Sequence, residues 1–281
     1  MNLTFYREPD MYWGLGAYGR KKKLTAAKSA LVEVRNPDNH SEDTTSEWKK
    51  SDYTMKDWLK HLQDIFDIPQ IEDIWFKENS SEFDIGDIKE ALGNATEFYI
   101  ENTGCMIFSQ MILEKFFPIE SLTINTRNFR DSKIPPSLLI QNHTYLSIYK
   151  TGENVVPITL NQLLLINSKD INVESLQITS KQINEFIKLW QQGSNPRMEH
   201  LRFKYYNIEE DDVMKGIKHE VIPYNQRRLF QSTGLAEPYE IDGGFDFYSM
   251  NGVKATIEFN WDWYSFYFDM FVWFDHCVVE S

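Results

Sequence analysis

The feature that most constrains the fold is a tetrad with apolar residues at its second and fourth positions, which recurs at nearly even steps. Its starts at residues 73, 97, 121, 145, 175 and 200 give steps of 24, 24, 24, 30 and 25. Such alternation is typical of strands that bury one face. Steps near 24 fall within the length of leucine-rich repeats, about 20–29 residues with one strand each. The six predicted strands are Asp73–Phe76, Glu97–Ile100, Ser121–Ile124, Tyr145–Ile148, Ser175–Ile178 and His200–Phe203.

Each gap between tetrads holds a segment with helical character, and the clearest runs from Thr179. Thr179 and Gln182 have the spacing of a capping box. Apolar residues then recur at helical spacing at Ile183, Phe186, Ile187 and Trp190. Strand, helix and strand of this length predict parallel pairing. We therefore predict an α/β fold, a leucine-rich-repeat-like βα solenoid with parallel strands; an ordinary α/β sheet with evenly spaced strands is the alternative.

The two ends of the chain lack the repeat. The predicted units are an N-terminal cap of strands at 1–29, βα repeats at 30–205 and a C-terminal helix with a hairpin cap at 206–281. Within them, residues 36–51 are predicted to be a surface loop and 218–244 to be loop-like. Asn251-Gly252 predicts a hairpin, and Trp261–Phe274 a further aromatic strand or two. The resulting antiparallel meander would shield the last repeat.

Composition excludes several classes of function. A net charge of −13 argues against a nucleic-acid partner. No signal peptide or membrane span is evident, and two distant cysteines favour a reducing, intracellular compartment, cytoplasm or nucleus. Gly14–Gly19 matches GxGxxG without the flanking strand and helix, so we interpret it as a tight turn.

The sequence offers little chemistry. No histidine has metal-ligand spacing, and His276 and Cys277 are expected to point to opposite faces of a strand end. His200 and Arg202 could serve an active site, but no nucleophile accompanies them. We therefore predict no catalytic residue, metal or cofactor, and favour a binding module over an enzyme.

The candidate site is the concave side of the predicted solenoid, which the outward strand residues would line. Six strands about 4.8 Å apart span roughly 24–29 Å, which suits a protein partner better than a metabolite. Exposed Trp and Tyr side chains are frequent anchors of protein interfaces, although loops could cover some of them. The predicted binding residues are Asp73, Trp75, Glu97, Tyr99, Thr123, Tyr145, Tyr149, Gln177, His200 and Arg202.

Two stretches carry a family resemblance. The first comprises Ile183, Asn184, Phe186, Ile187, Lys188, Trp190, Gly193, Asn195, Pro196, Met198, Glu199 and Leu201. The second comprises Gly243, Gly244, Phe245, Asp246, Phe247, Gly252, Ala255, Thr256 and Ile257, with Asn251 where Asp is usual. Together they resemble the type 2 F-box-associated domain, abundant in nematode F-box proteins, over about residues 120–275.

The resemblance implies a substrate-recognition subunit of a Skp–cullin–F-box ubiquitin ligase, in which the F-box docks the Skp adaptor and the repeats hold the target. Residues 1–34 have the pattern of strands and turns and lack the LP…L start of an F-box. This weakens the expectation that a Skp adaptor binds this chain. The alternative is a stand-alone interaction module, such as a decoy or an inhibitor of another protein.

Overall fold

The computed structural model describes residues 3–4, 29–34, 44–49, 52–67, 71–149, 158–174, 178–205, 208–235, 237–262 and 265–279. Its helices are α1 Met55–Phe66, α2 Ile85–Leu92, α3 Met106–Phe116, α4 Pro136–Leu139, α5 Leu160–Leu165, α6 Ser180–Gln191 and α7 Glu210–Val213. Its strands are β1 Leu3–Thr4, β2 Ser29–Val34, β3 Thr44–Lys49, β4 Asp73–Phe76, β5 Glu97–Ile100, β6 Ser121–Asn125, β7 Tyr145–Tyr149, β8 Asp170–Val173, β9 His200–Tyr205, β10 His219–Phe230, β11 Tyr239–Tyr248, β12 Lys254–Asp262 and β13 Ser265–Trp273.

Ten of these strands form one large mixed sheet in the order β10-β11-β12-β13-β9-β8-β7-β6-β5-β4. Strands β4 to β9 are parallel neighbours in chain order. Strands β9 to β13 continue the sheet with antiparallel pairing. The α/β class and the parallel order of these strands are confirmed, whereas the leucine-rich-repeat-like solenoid stays a prediction.

The predicted fifth strand is wrong by five residues. Asp170–Val173 pairs with Tyr145–Ile148 on one side and with His200–Phe203 on the other. Residues 175–177 lie outside the described part of the chain, and Ile178 precedes the cap of α6 without belonging to a strand. The strand starts are therefore 73, 97, 121, 145, 170 and 200, and the first four steps become 24, 24, 24 and 25.

The alternation of the parallel strands places their second and fourth side chains in the core. These buried residues are Ile74, Phe76, Phe98, Ile100, Leu122, Ile124, Leu146, Ile148, Ile171, Val173, Leu201 and Phe203. They join one hydrophobic cluster with apolar residues of helices α2, α3, α5 and α6. The helices therefore cover one face of the parallel sheet, as such sheets require.

Local sequence fixes the helix ends. Thr54, Thr159 and Thr179 each begin a helix with a reciprocal capping box, which satisfies free N–H groups at the start. The apolar face of α6 is buried as predicted. On α3, Ile107 is exposed, because Phe108, Ile112 and Phe116 fill the contact with the sheet.

Asn195, in the first family-like stretch, has a structural role that explains its residue type. Its side-chain N–H₂ group donates to the carbonyl oxygens of Leu163 and Ile166 at 3.1 and 2.8 Å. Both carbonyls lie at the end of α5, where backbone acceptors lack intrahelical partners. Asn195 also has a positive φ of 48°, which Asn tolerates better than most residues. The turn after α6 thus ties the preceding repeat to β9.

The C-terminal region differs from its prediction. The meander and the hairpin at Asn251-Gly252 are confirmed, but residues 218–244 contain β10 and the start of β11. Nearly all side chains of β10 are exposed, so the strand has no apolar alternation that sequence reasoning could detect. The meander extends the parallel sheet at β9, where β13 pairs with it.

The N-terminal residues form a separate three-stranded antiparallel sheet in the order β1-β2-β3. Strand β2 lies at the predicted start of the βα repeats and pairs antiparallel with β1 and β3. Strand β3 contradicts the loop predicted for 36–51, while 35–43 and Gly14–Gly19 lie outside the described residues. No helix in the described ranges combines the length and apolar character needed to cross a bilayer.

Candidate binding surface on the outer face of the sheet

The outer face is the side of the parallel sheet opposite the helices, formed by the first and third side chains of each strand from β4 to β9 and by the fifth side chain of β7, Tyr149. Its exposure changes from one end to the other. Asp73 and Trp75 on β4 are exposed, and the side chains of β5 and β6 at these positions are partly buried. On β8 and β9, by contrast, Asp170 and His200 are buried. Only part of the predicted row is therefore open.

An aromatic pair dominates the open end. The rings of Trp75 and Tyr99 stack with centroids 4.1 Å apart and planes 10° from parallel. Because the two residues are register partners on β4 and β5, the sheet itself brings their rings together. Trp75 remains 48% exposed. The stack thus presents a rigid apolar patch.

Acidic neighbours orient both rings. The indole N–H of Trp75 donates to a carboxylate oxygen of Asp73 at 2.8 Å. The hydroxyl of Tyr99 donates to Glu97 at 2.9 Å. Burial, followed by the hydrogen bond and negative charge of Glu97, raises the pKa of Tyr99 to about 12. The phenol therefore stays a neutral donor at physiological pH, and the surface around it is negative.

The centre of the outer face continues this surface with smaller contacts. Thr123 lies between Tyr99 and Ser147 in the register of the sheet, and Tyr145 and Tyr149 are half-buried on β7. Burial and then the carboxylate of Glu101 raise the pKa of Tyr149. Tyr149 is therefore a neutral phenol on the path from the aromatic pair towards β8.

The far end of the outer face is closed by a buried ionic network. His200 is 4% exposed, and its ring nitrogens lie 3.3 Å from Asp170 Oδ1 and 3.0 Å from Asp269 Oδ1. Arg202 donates to both oxygens of Asp269 at 2.9 and 3.2 Å. Ser232 donates to Asp170 at 2.7 Å, so the segment after β10 covers this end.

Opposite charges decide the protonation of the network. Burial alone would lower the pKa of His200, but Asp170 and Asp269 outweigh it and raise the pKa to about 9. Burial would raise the pKa of Asp269, but the hydrogen bonds and charges of His200 and Arg202 outweigh it and lower the pKa. At neutral pH His200 is therefore a buried cation between two carboxylates.

One group of side chains brings together metal-ligating types. Glu199, His276 and Cys277 offer ligand atoms within 4.8 Å of one another, although opposite orientations were predicted for His276 and Cys277. The ammonium group of Lys169 and the Nε2 atom of His276 each lie 3.0 Å from Glu199 Oε1. Burial and then the charge of Glu199 raise the pKa of the Cys277 thiol to about 12. The carboxylate is thus already paired with the ammonium group of Lys169 and the ring of His276, and the thiol is protonated.

The structure sorts the ten predicted binding residues into three groups. Seven share the open and central parts of the outer face: Asp73, Trp75, Glu97, Tyr99, Thr123, Tyr145 and Tyr149. His200 and Arg202 belong to the ionic network. Gln177 lies outside the described residues, and Asn172 of β8 occupies the corresponding row position between Ser147 and Arg202. The sequence does not single out Asp170, because the tetrad at 175 fits the pattern equally well, or Asp269, because its partners are distant in sequence.

Comparisons with known proteins agree with the resemblance seen in the sequence. Residues 134–203 match the family model described as F-box associated. The chain is also 28% identical over 143 residues to the F-box associated domain-containing protein sdz-33 of Caenorhabditis elegans. That alignment covers 50% of this chain and 42% of the relative, so the chain spans less than half the relative's length. No solved structure matches the chain. The resemblance to F-box-associated proteins of nematodes is confirmed.

Proposed function

We propose that this chain, with its F-box-associated segment at 134–203, is a protein-binding module whose outer face holds a target protein. The observation that carries the proposal is the Trp75–Tyr99 stack, a rigid and partly exposed aromatic pair at the open end of the face. Aromatic side chains already fixed in position lose little conformational entropy on binding and are enriched among interface anchors.

The finer form of the fold that we propose is a leucine-rich-repeat-like solenoid. Supporting it are the near-equal steps between β4 and β8 and the one-to-one register of neighbouring strands. In such an architecture, adjacent repeats present an extended surface on one side. A surface of this kind suits a folded protein or a long peptide as its partner.

We further propose that the target is held for a Skp–cullin–F-box ubiquitin ligase. Similarity to an F-box associated domain-containing protein supports this role. In this arrangement the outer face binds the substrate and the chain itself performs no chemistry. No cofactor is needed for such a function.

Affinity capture with matched surface variants tests the binding role. The test variant carries Trp75→Ala, Tyr99→Ala and Tyr145→Ala. The control carries Tyr224→Ala, Tyr248→Ala and Met250→Ala, which also remove three exposed side chains but lie outside the outer face. We expect the test variant to lose partners that wild type and control retain, while thermal unfolding shows that both variants are folded. Equal capture by the test variant would contradict a role for the outer face.

The ligase role has a separate test. The chain is co-expressed with a Skp adaptor and purified by its own tag, and the adaptor is quantified in the eluate. Stoichiometric adaptor supports recruitment to the ligase. Its absence, together with capture of a target that depends on Trp75, would leave a binding module without direct recruitment.

A further inference from the structure

A cleft opens beside the ionic network, where the outer face meets the meander. Its volume is about 480 Å³. The lining residues are Asn172, Glu174, Arg202, Tyr239, Asn260, Trp261 and Tyr267. Glu174 is close enough to Tyr149 to contribute to its raised pKa, after burial and Glu101. The cleft is therefore an extension of the outer face, and it has room for a large side chain.

The cation in the cleft is already neutralised. Both oxygens of Asp269, a fully buried carboxylate, accept hydrogen bonds from the Arg202 guanidinium. The guanidinium carbon also lies 5.5 Å from the ring centroid of Tyr239 and 5.1 Å from that of Tyr267. Arg202 therefore contributes to the wall a flat guanidinium surface that lies against the rings of Tyr239 and Tyr267. It adds little net positive charge to the cleft.

Two other residues of the lining, Glu174 and Asn260, offer hydrogen-bond acceptors. Glu174 is exposed, and within the described ranges no hydrogen bond or ion pair engages its carboxylate. The side chain of Asn260 donates through its N–H₂ group to Glu258 at 2.7 Å, which leaves its own carbonyl oxygen available as an acceptor. Glu258 lies behind the wall, where burial raises the pKa of its carboxyl group.

An exposed aromatic ring completes the cleft. Trp261 is 77% exposed although it belongs to the regular strand β12. Trp is the ring type that attracts cations most strongly. A free carboxylate, an amide acceptor and aromatic faces are together the groups that a planar cation uses.

We propose that the cleft receives an arginine side chain of the bound target. The guanidinium would lie against the ring of Trp261 and donate to the carboxylate of Glu174. Arginine fits better than lysine because its five N–H donors and flat surface can use acceptors and rings at the same time. The inference rests on the proposed function, since it names the residue type that the target presents at this end of the outer face. The net charge of −13 favours a basic partner as well.

Defined peptides test the inference without knowledge of the target. The probes are acetyl-Gly-Arg-Gly-amide and two peptides in which citrulline or lysine replaces the arginine. Citrulline keeps the shape of the arginine side chain and removes its charge. Binding to the full chain is followed by NMR at the indole N–H of Trp261, assigned with Trp261→Phe. We expect saturable shifts with the arginine peptide and binding at least about tenfold weaker with the citrulline peptide.

Two variants test whether the arginine peptide binds in the cleft. Glu174→Gln is expected to weaken the arginine peptide by about tenfold without affecting folding, because the carboxylate has no partner to lose. Glu220→Gln removes an exposed charge on β10, away from the cleft lining, and is expected to leave binding unchanged.

Three results would overturn the inference: no shift at Trp261, equal binding of the arginine and citrulline peptides, or unchanged binding by Glu174→Gln. Equal binding of the lysine peptide would overturn the assignment to arginine. Because these measurements need no target, their failure is distinguishable from failure of the capture experiment, which depends on Trp75, Tyr99 and Tyr145.

Discussion

The indole of Trp190 packs edge-on against the ring of Phe247, with centroids 5.6 Å apart and planes 76° from parallel. The two residues come from the two separate stretches that carry the family resemblance, one on helix α6 and the other on strand β11. The Gln191 side chain strengthens this junction by donating to the carbonyl oxygen of Tyr248 at 2.8 Å. The resemblance therefore reflects one physical contact between the last repeat helix and the meander.

The Trp190–Phe247 contact predicts a measurable coupling. Either Trp190→Ala or Phe247→Ala alone should reduce the free energy of unfolding by about 3–5 kcal/mol, because both side chains are buried. In a double-mutant cycle, the edge-to-face geometry should contribute about 0.5–1.5 kcal/mol of coupling. Urea unfolding at equilibrium measures all four proteins. Strict additivity would mean that the rings stabilise the protein independently.

Asp269 is the second target for mutation, because it holds two cations in a buried position. Asp269→Asn keeps the shape but leaves the charges of His200 and Arg202 with too little compensation. We expect a loss of about 3–5 kcal/mol in the free energy of unfolding. Glu240→Gln is the control, since it breaks the exposed 2.8 Å ion pair with Arg227 and should cost less than about 1 kcal/mol. Similar losses in the two variants would contradict the central role of Asp269.

His200 predicts a decrease in stability with rising pH. Its folded-state pKa of about 9 exceeds the ordinary value of 6.5, so the folded protein binds the proton more tightly than the unfolded chain. This contribution is fully present below pH 6.5 and is lost as pH rises through 9, a change on the order of 3 kcal/mol. Unfolding free energies at pH 6.5, 7.5 and 8.5 measure it.

A variant at His200 distinguishes the effect of this residue on stability from the effects of other titratable groups in the pH series. His200→Gln should be less stable at every pH but should lack the decline between pH 6.5 and 8.5. Above that range Cys277 and Tyr239, whose pKa values are both raised to about 12, also favour the unfolded state as pH rises. A wild-type decline that persists in His200→Gln would assign the effect to another residue.

The glycine pair at the start of the second family-like stretch gives a further prediction. Gly244 has a φ of +104°, and an added Cβ would lie 2.6 Å from the carbonyl oxygen of Ile257 on β12. Gly244→Ala should therefore cost about 3 kcal/mol or more, since backbone must move. Gly252→Ala is the matched control, with φ +82° and open space around the Cβ, and should cost about 1 kcal/mol. Thermal or urea unfolding compares the pair.

Much of the parallel sheet was predictable because its apolar alternation is local. The fifth strand failed for a specific reason: Asp170-Ile171-Asn172-Val173 and Ser175-Leu176-Gln177-Ile178 both fit the tetrad. Two non-local interactions favour the first. Asp170 pairs with His200 on β9 and accepts a hydrogen bond from Ser232 after β10.

The candidate site was predictable only at its open end. Trp75 and Tyr99 follow from the repeat phase, because register partners on one face must be neighbours. The network at the other end depends on Asp269, which is 69 residues from His200 and reaches it only because β13 pairs with β9. The local alternation of apolar and polar residues does not indicate such a pairing. The same reason explains why the cleft, built from five strands and the residue after β8, has no signal in the sequence.

Strand β9 is hydrogen-bonded along both edges, in parallel with β8 and antiparallel with β13. Each half of the large sheet therefore completes the backbone hydrogen bonding of the other through one shared six-residue strand. A fragment that ended after Tyr205 would keep every parallel strand and yet leave the β9 edge that pairs with β13 without a partner, and unpaired strand edges are sites through which proteins aggregate. The meander thus protects the repeats from self-association, and dissection of the chain into smaller soluble pieces should begin on the other side, between the three-stranded sheet and α1.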